Sequence, residues 1–142
     1  MLRKFDLWLG KTLFIPPIVK LCHLTRQSQY AVSRLFWFMA MLSGLYRADN
    51  AVDYLIFGLG SFFMMLTASL RADRPTASWF WFRMVVVLGL ILRLFSAIED
   101  GTLAGVEYWI FILFAEYAAT IRTLPPRASA ERKQKLAEAG EG

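Results

Sequence analysis

The chain has a single cysteine, Cys22, and a single histidine, His23. One cysteine excludes an intrachain disulfide, and with it the four-helix disulfide-generating membrane enzymes, which need paired cysteines. One histidine excludes a b-type haem held by two histidines of the same chain, and His23 lies outside every apolar run. No Gly-x-Ser-x-Gly, His-Glu-x-x-His, P-loop or paired-cysteine motif is present. The hydroxyls inside apolar runs are Ser43, Ser61, Thr67, Ser69, Ser96 and Thr120, and none has a histidine beside it to serve as base. Gly58-Leu59-Gly60 follows no strand pattern, so it is not a nucleotide fingerprint. There is no internal repeat of the kind that builds transporters from inverted halves. Met39, Met41, Met64 and Met65 alone suggest soft-metal ligation. They sit among phenylalanines in ordinary apolar runs and read as core or lipid contacts. The expectation is a protein that is not an enzyme and carries no cofactor and no metal.

What the chain has in excess is apolar length. Hydrophobic residues make up 57% of it and aromatics 15%, against roughly 45–50% apolar in ordinary soluble domains. Four apolar stretches run over 35–46, 54–70, 79–98 and 103–121. The last two approach the roughly 20 residues that a helix needs to cross a hydrocarbon core. A water-soluble core of this size could not enclose Phe36, Trp37, Phe38, Phe62, Phe63, Trp79, Phe80, Trp81, Phe82, Trp109, Phe111 and Phe114 together. A bilayer can solvate them.

Basic residues are segregated between the runs. Arg3, Lys4, Lys11, Lys20, Arg26 and Arg34 precede the first, Arg71 and Arg74 fill the second connection, and Arg122, Arg127, Arg132, Lys133 and Lys135 follow the last. The first connection holds Arg47 alone, and the third holds only Glu99 and Asp100. With four spans, nearly all the basic residues outside the spans fall on one face. The positive-inside rule makes that face cytoplasmic, with both termini on it. The stretch 35–46 is short for a span, but it lengthens backwards over 30–34 if Arg34 snorkels to the headgroups. A re-entrant helix there would leave three spans and spoil the segregation. The net charge of +5 is explained by anionic headgroups beside the runs, and nucleic acid is not expected as a partner.

Residues 1–14 read as an amphipathic helix on the membrane surface. At about 100° per residue, Arg3, Lys4, Asp6, Gly10 and Lys11 share one arc, and Leu2, Phe5, Trp8, Leu9 and Leu13 the other. Arg3, Lys4, Phe5, Trp8 and Lys11 are the expected interfacial anchors, and Pro16 and Pro17 are expected to end the helix. A cleaved signal peptide fits poorly, because Asp6 and Lys11 interrupt the apolar core and no small-x-small site follows. Pro125 and Pro126 are expected to stop the last span before a charged, solvated tail.

Ionisable residues within lipid cost about 2.5–3.5 kcal/mol each on the insertion scale, so each is a site candidate. Folded as a hairpin about Asp100 and Gly101, the third and fourth spans place at equal depth residues whose numbers sum to about 200. Arg93 then matches Glu107, and Arg83 matches Glu116. Azimuth opposes having both pairs in one straight interface, since Glu107 and Glu116 lie about 900° apart along the helix. Arg93–Glu107 is the favoured pair. Asp49, Asp53, Glu99, Asp100 and Glu107 against Arg47 and Arg93 make the outer rim acidic. Such a rim could favour cations, or could simply follow from the exclusion of basic residues.

The sequence therefore predicts an all-α membrane protein. A four-transmembrane-helix bundle over 31–122 follows an amphipathic interfacial segment over 1–30 and precedes a solvated tail over 123–142. The expected location is a bacterial-type inner membrane. The expected partners are the lipid bilayer and other membrane-protein subunits or further copies of the chain. The expected role is that of a subunit or accessory factor of a larger membrane assembly. The alternatives are a holin-like homo-oligomeric pore and a small proton- or cation-coupled transporter working through Glu107 or Glu116.

Overall fold

A computed structural model of the chain describes residues 1–73, 79–120 and 135–140. The elements are helices throughout, with no strand among the described residues. Helix α1 (Leu2–Leu9), a π-helical segment (Gly10–Phe14) and α2 (Ile15–Thr25) form one continuous rod, because Gly10 and Ile15 at the junctions keep right-handed helical dihedrals.

That rod corrects two expectations. Pro16 and Pro17 do not end the helix; they occupy the first turn of α2. A proline's missing N–H is tolerated in a first turn, and here the preceding π segment has already interrupted the i→i−4 ladder. Asp6 and Gly10 do not face water with the lysines. The buried face repeats every four residues: Asp6, Gly10, Phe14, Ile18 and Cys22. In a straight α-helix each such step drifts about 40°. The π segment winds less per residue and returns part of that drift, which keeps all five toward the bundle.

Arg26, at a left-handed φ of 55°, ends α2. Helix α3 (Gln29–Tyr46) follows, so the short apolar run does lengthen backwards; its 18 residues reach about 27 Å at 1.5 Å per residue. A second rod consists of α4 (Ala51–Tyr54), a π-helical segment (Leu55–Gly60) and α5 (Ser61–Asp73). Asn50 opens it, its side-chain oxygen accepting the Asp53 N–H at 3.0 Å, which satisfies one otherwise orphaned donor. Helix α6 (Trp79–Asp100) ends at Gly101, and α7 (Val106–Thr120) begins after Gly105. These two glycines sit at φ +66° and +89°, a region that a β-carbon disfavours.

Helix α7 is apolar on every side, the pattern of an enclosed helix. It packs most extensively on α3 and also meets α2, α5 and α6. Ile112, Leu113, Ala115, Glu116, Tyr117, Ala118 and Ala119 are all buried along it. Phe14 from the first rod stacks on Tyr117 at 4.8 Å and meets Phe114 edge-on at 4.9 Å, while Phe36 of α3 stacks on Phe114 at 5.0 Å.

Among the described residues, two helices are long and apolar enough to cross a membrane, Ala51–Ala68 and Trp79–Asp100. The fold is thus an all-helical bundle with, among the described residues, two helices of spanning length and composition against the four spans read from the sequence. Their outer faces are apolar and uncovered: Leu55, Ile56, Leu59, Phe63 and Leu66 on one, and Trp81, Val85, Leu88, Leu92, Phe95 and Ile98 on the other. In the tail, residues 135–140 are helical and exposed. Pro125, Pro126 and the rest of 121–134 lie outside the described residues, as does Arg74.

Candidate functional site

The first turns of α3 and α6 and the last turns of α7 share one end of the bundle, and several enclosed polar side chains gather there. Asp6, Ser33, Arg83 and Glu116 are each at most 6% exposed. The antiparallel course of the helices brings them together from four distant parts of the sequence.

Asp6 and Arg83 form the centre of this layer. The Arg83 Nε donates to Asp6 Oδ1 at 2.9 Å, and its Nη2 donates to Oδ2, closing a two-point ion pair. The Tyr117 hydroxyl donates to the same Oδ1 at 2.9 Å. The Arg83 guanidinium also lies 5.4 Å from the centroid of the Tyr117 ring, within the range of a cation–π attraction. A buried charge needs a partner and filled hydrogen-bond sites; here the two charges cancel, and one phenol contacts both groups.

Beside it, α3 is tied to α7 by two polar contacts. Ser33 Oγ donates to the Ala115 carbonyl at 2.8 Å, and the Trp37 indole N–H donates to Glu116 Oε1 at 3.2 Å. The serine hydroxyl satisfies a carbonyl in the helix that fills the centre of the bundle. The indole brings the Glu116 carboxyl a donor where water is excluded.

A second cluster sits at the opposite end. Arg47, just after α3, forms an ion pair with Glu107 through its Nη2. Glu107 also accepts from Ser43 Oγ at 3.5 Å and, through Oε2, from the Gly105 N–H at 3.1 Å. Arg93 turns toward the α6–α7 connection, where its Nε donates to the Ala104 carbonyl at 2.7 Å and its Nη2 to the Thr102 carbonyl at 3.4 Å. Its Nη1 meets Asp100 at 3.5 Å, and Ser96 Oγ donates to that same carboxylate at 3.0 Å. Arg47 and Arg93 border a cavity of about 150 Å³ whose walls include Phe57, Tyr108 and Trp109.

These contacts revise the expected charge pairs. Arg93 and Glu107 are not partners: the arginine holds the connection, and the glutamate faces α3. Arg83 forms an ion pair with Asp6, which the sequence did not suggest, and the indole of Trp37 donates to Glu116. The depth matching behind the expectation does hold, since Gly89 lies against Trp109 and Gly105 against Arg93, positions that sum to 198. Depth was legible because a hairpin fixes it. For Arg93 and Glu107 azimuth failed, because the glutamate faces Arg47 after α3 and the arginine faces the connection.

Other expected site residues are dispersed. Asp53 occupies the first turn of α4, where the helix dipole favours an acid. Asp49 is exposed in the turn before it, and Glu99 and Asp100 are exposed at the end of α6. Arg3, Lys4, Phe5, Trp8 and Lys11 are all exposed on the first rod, with Phe5 and Trp8 stacked at 6.2 Å. The residues missed were Asp6, Ser33 and Tyr117. One signal for Asp6 existed: it is the only acidic residue before Asp49, set in an otherwise basic and apolar stretch. Tyr117 carried no such mark.

Among the described residues no three of His, Cys, Asp and Glu lie close enough together to hold a metal ion. Compared with family models, curated proteins and solved structures, the chain matches none.

Proposed function

We propose that this chain is a polytopic membrane protein of the bacterial inner-membrane type. In this reading the rods and helices at Gln29–Tyr46, Ala51–Asp73, Trp79–Asp100 and Val106–Thr120 are four spans, and both termini are cytoplasmic. It acts without catalysis, as a subunit or accessory factor of a larger membrane assembly.

The observation that carries this reading is the exposure of the apolar helices. Only 11% of the Ala51–Ala68 window and 22% of the Trp79–Asp100 window is buried inside the protein. The core helix of a water-soluble protein would be mostly enclosed. Continuous apolar faces of this length mark contact with lipid or with another membrane protein. The basic residues support the orientation, and α3, α6 and α7 present their polar layer at the end nearest the basic N-terminal rod. The subunit reading draws support from α7, whose packed side chains occupy the centre that a single-chain channel would leave open.

Cysteine accessibility tests the topology. In a Cys22→Ser background, cysteines placed at Ala48 and Thr102 should react with an impermeant maleimide from the outer side of intact cells. One placed at Gln27 should react only after the membrane is opened. Proteoliposomes test the role. A subunit leaves a proton gradient intact, whereas a leak abolished by Glu107→Gln or Glu116→Gln would overturn it in favour of the pore. Proton-driven uptake of a solute would favour the transporter.

A further inference from the structure

Helix α1 is seated by one buried side chain, Asp6, with Leu9 at its end packed partly buried against the core. Of Leu2–Leu9 only Asp6 is buried, and Leu2, Phe5, Leu7 and Trp8 are each between 44% and 57% exposed. Outside its own rod, α1 meets α6 through the pair of Asp6 with Arg83 and α7 through the Tyr117 hydroxyl that donates to the same carboxylate. Immediately after α1 the rod changes to π geometry over Gly10–Phe14, a local weakening of the helical ladder that begins at a glycine. From Phe14 onward the rod is anchored by Phe14, Ile18 and Cys22 in the core.

Seating Asp6 fixes the rotation of α1. At about 100° per residue, Asp6 and Gly10 face the bundle. Trp8, Phe5, Leu9 and Leu2 form an arc on one flank, and Arg3, Lys4 and Lys11 form an arc on the other, with the exposed Leu7 among them. An apolar flank bordered by three cations is complementary to an anionic bilayer surface, where the apolar side chains enter the headgroup boundary and the cations meet lipid phosphates.

We propose that Asp6 is a latch. Its ion pair with Arg83 holds residues 2–9 docked on the bundle. When the pair opens, these residues swing as a unit about the Gly10–Phe14 segment and lie on the anionic leaflet. The lipid half of this proposal rests on the membrane reading above; the latch itself rests on the contacts of Asp6.

The test is hydrogen–deuterium exchange on the full chain in two kinds of nanodisc. One contains phosphatidylcholine alone, and the other phosphatidylcholine with phosphatidylglycerol. In phosphatidylcholine, Asp6→Asn should raise exchange in residues 2–9 by about tenfold or more, while residues 29–46 and 106–120 keep wild-type protection. The charge swap of Asp6→Arg with Arg83→Asp should restore it. Phosphatidylglycerol should slow exchange of the freed segment. Wild-type protection of residues 2–9 in Asp6→Asn would overturn the latch. So would a rise spread evenly over every helix, which would make Asp6 an ordinary structural residue. A freed segment indifferent to phosphatidylglycerol would overturn the lipid surface as its partner. If the chain instead stays monodisperse in plain buffer, the membrane reading fails, and the same comparison of Asp6→Asn with wild type in buffer still decides the latch.

Discussion

The indole of Trp109 fills the space that any side chain on Gly89 would need: a β-carbon at residue 89 would sit 2.6 Å from the ring. The contact crosses from α6 to α7 and sets how closely those helices approach. Gly89→Ala improves helix propensity by about 1 kcal/mol, but overpacking costs about 1–3 kcal/mol, so the net effect is destabilisation. Gly89→Leu should cost more. Thermal unfolding in detergent measures both, and Trp109→Ala should lessen the loss from Gly89→Leu. An unchanged midpoint for Gly89→Leu would show that the two helices do not meet here.

The charges at the Arg47–Glu107 end of the bundle should separate cleanly in a double-mutant cycle. Arg47 and Glu107 form a partly exposed pair, their side chains 36% and 39% exposed. Such pairs contribute about 0.2–1 kcal/mol. Glu107→Gln and Arg47→Gln should therefore each destabilise slightly and show coupling of that size. Arg93→Leu should not rescue Glu107→Gln, because Arg93 is bound to the connection. Rescue would restore the Arg93–Glu107 pairing expected from the sequence.

Ser33 and Trp37 should matter more than their chemistry suggests. Ser33→Ala removes the 2.8 Å bond to the Ala115 carbonyl and should lower stability by about 0.5–1.5 kcal/mol. Trp37→Phe removes the donor to Glu116 and should lower it by about 1–3 kcal/mol. Trp37→Phe and Glu116→Gln should be non-additive, since they share one contact. Additive losses would place the indole and the carboxyl in separate environments.

Cys22 reports on the first rod. It is 3% exposed, and burial pushes its thiol pKa above the ordinary value. The reactive thiolate is thus scarce near neutral pH as well as enclosed. Maleimide labelling at pH 7.4 should be slow in the folded protein and fast in denaturing detergent. Rapid labelling of the native chain would mean that α2 does not pack as described.

Much of the fold was legible in the chain. Runs at 54–70 and 79–98 became helices with close to those limits, and the run at 103–121 became Val106–Thr120. Apolar length and helix-ending glycines are local properties, readable without knowing any neighbour. The N-terminal rod was half legible. Its exposed cations and aromatics follow from helical periodicity, but its buried face does not, because the π segment alters the winding and the bundle accepts an acid there. The prolines misled for the same reason: their effect depends on whether the ladder before them is intact.

By itself, then, the sequence determined that helices form, roughly where the apolar ones run, and which residues share a depth across the α6–α7 hairpin, because turns and hydropathy act over a few residues. Only the tertiary structure decided the partners. Asp6 meets Arg83 across 77 positions, and Glu107 meets Arg47 across 60. Those choices depend on how each helix is rotated about its axis, and that rotation is fixed by packing against all its neighbours at once.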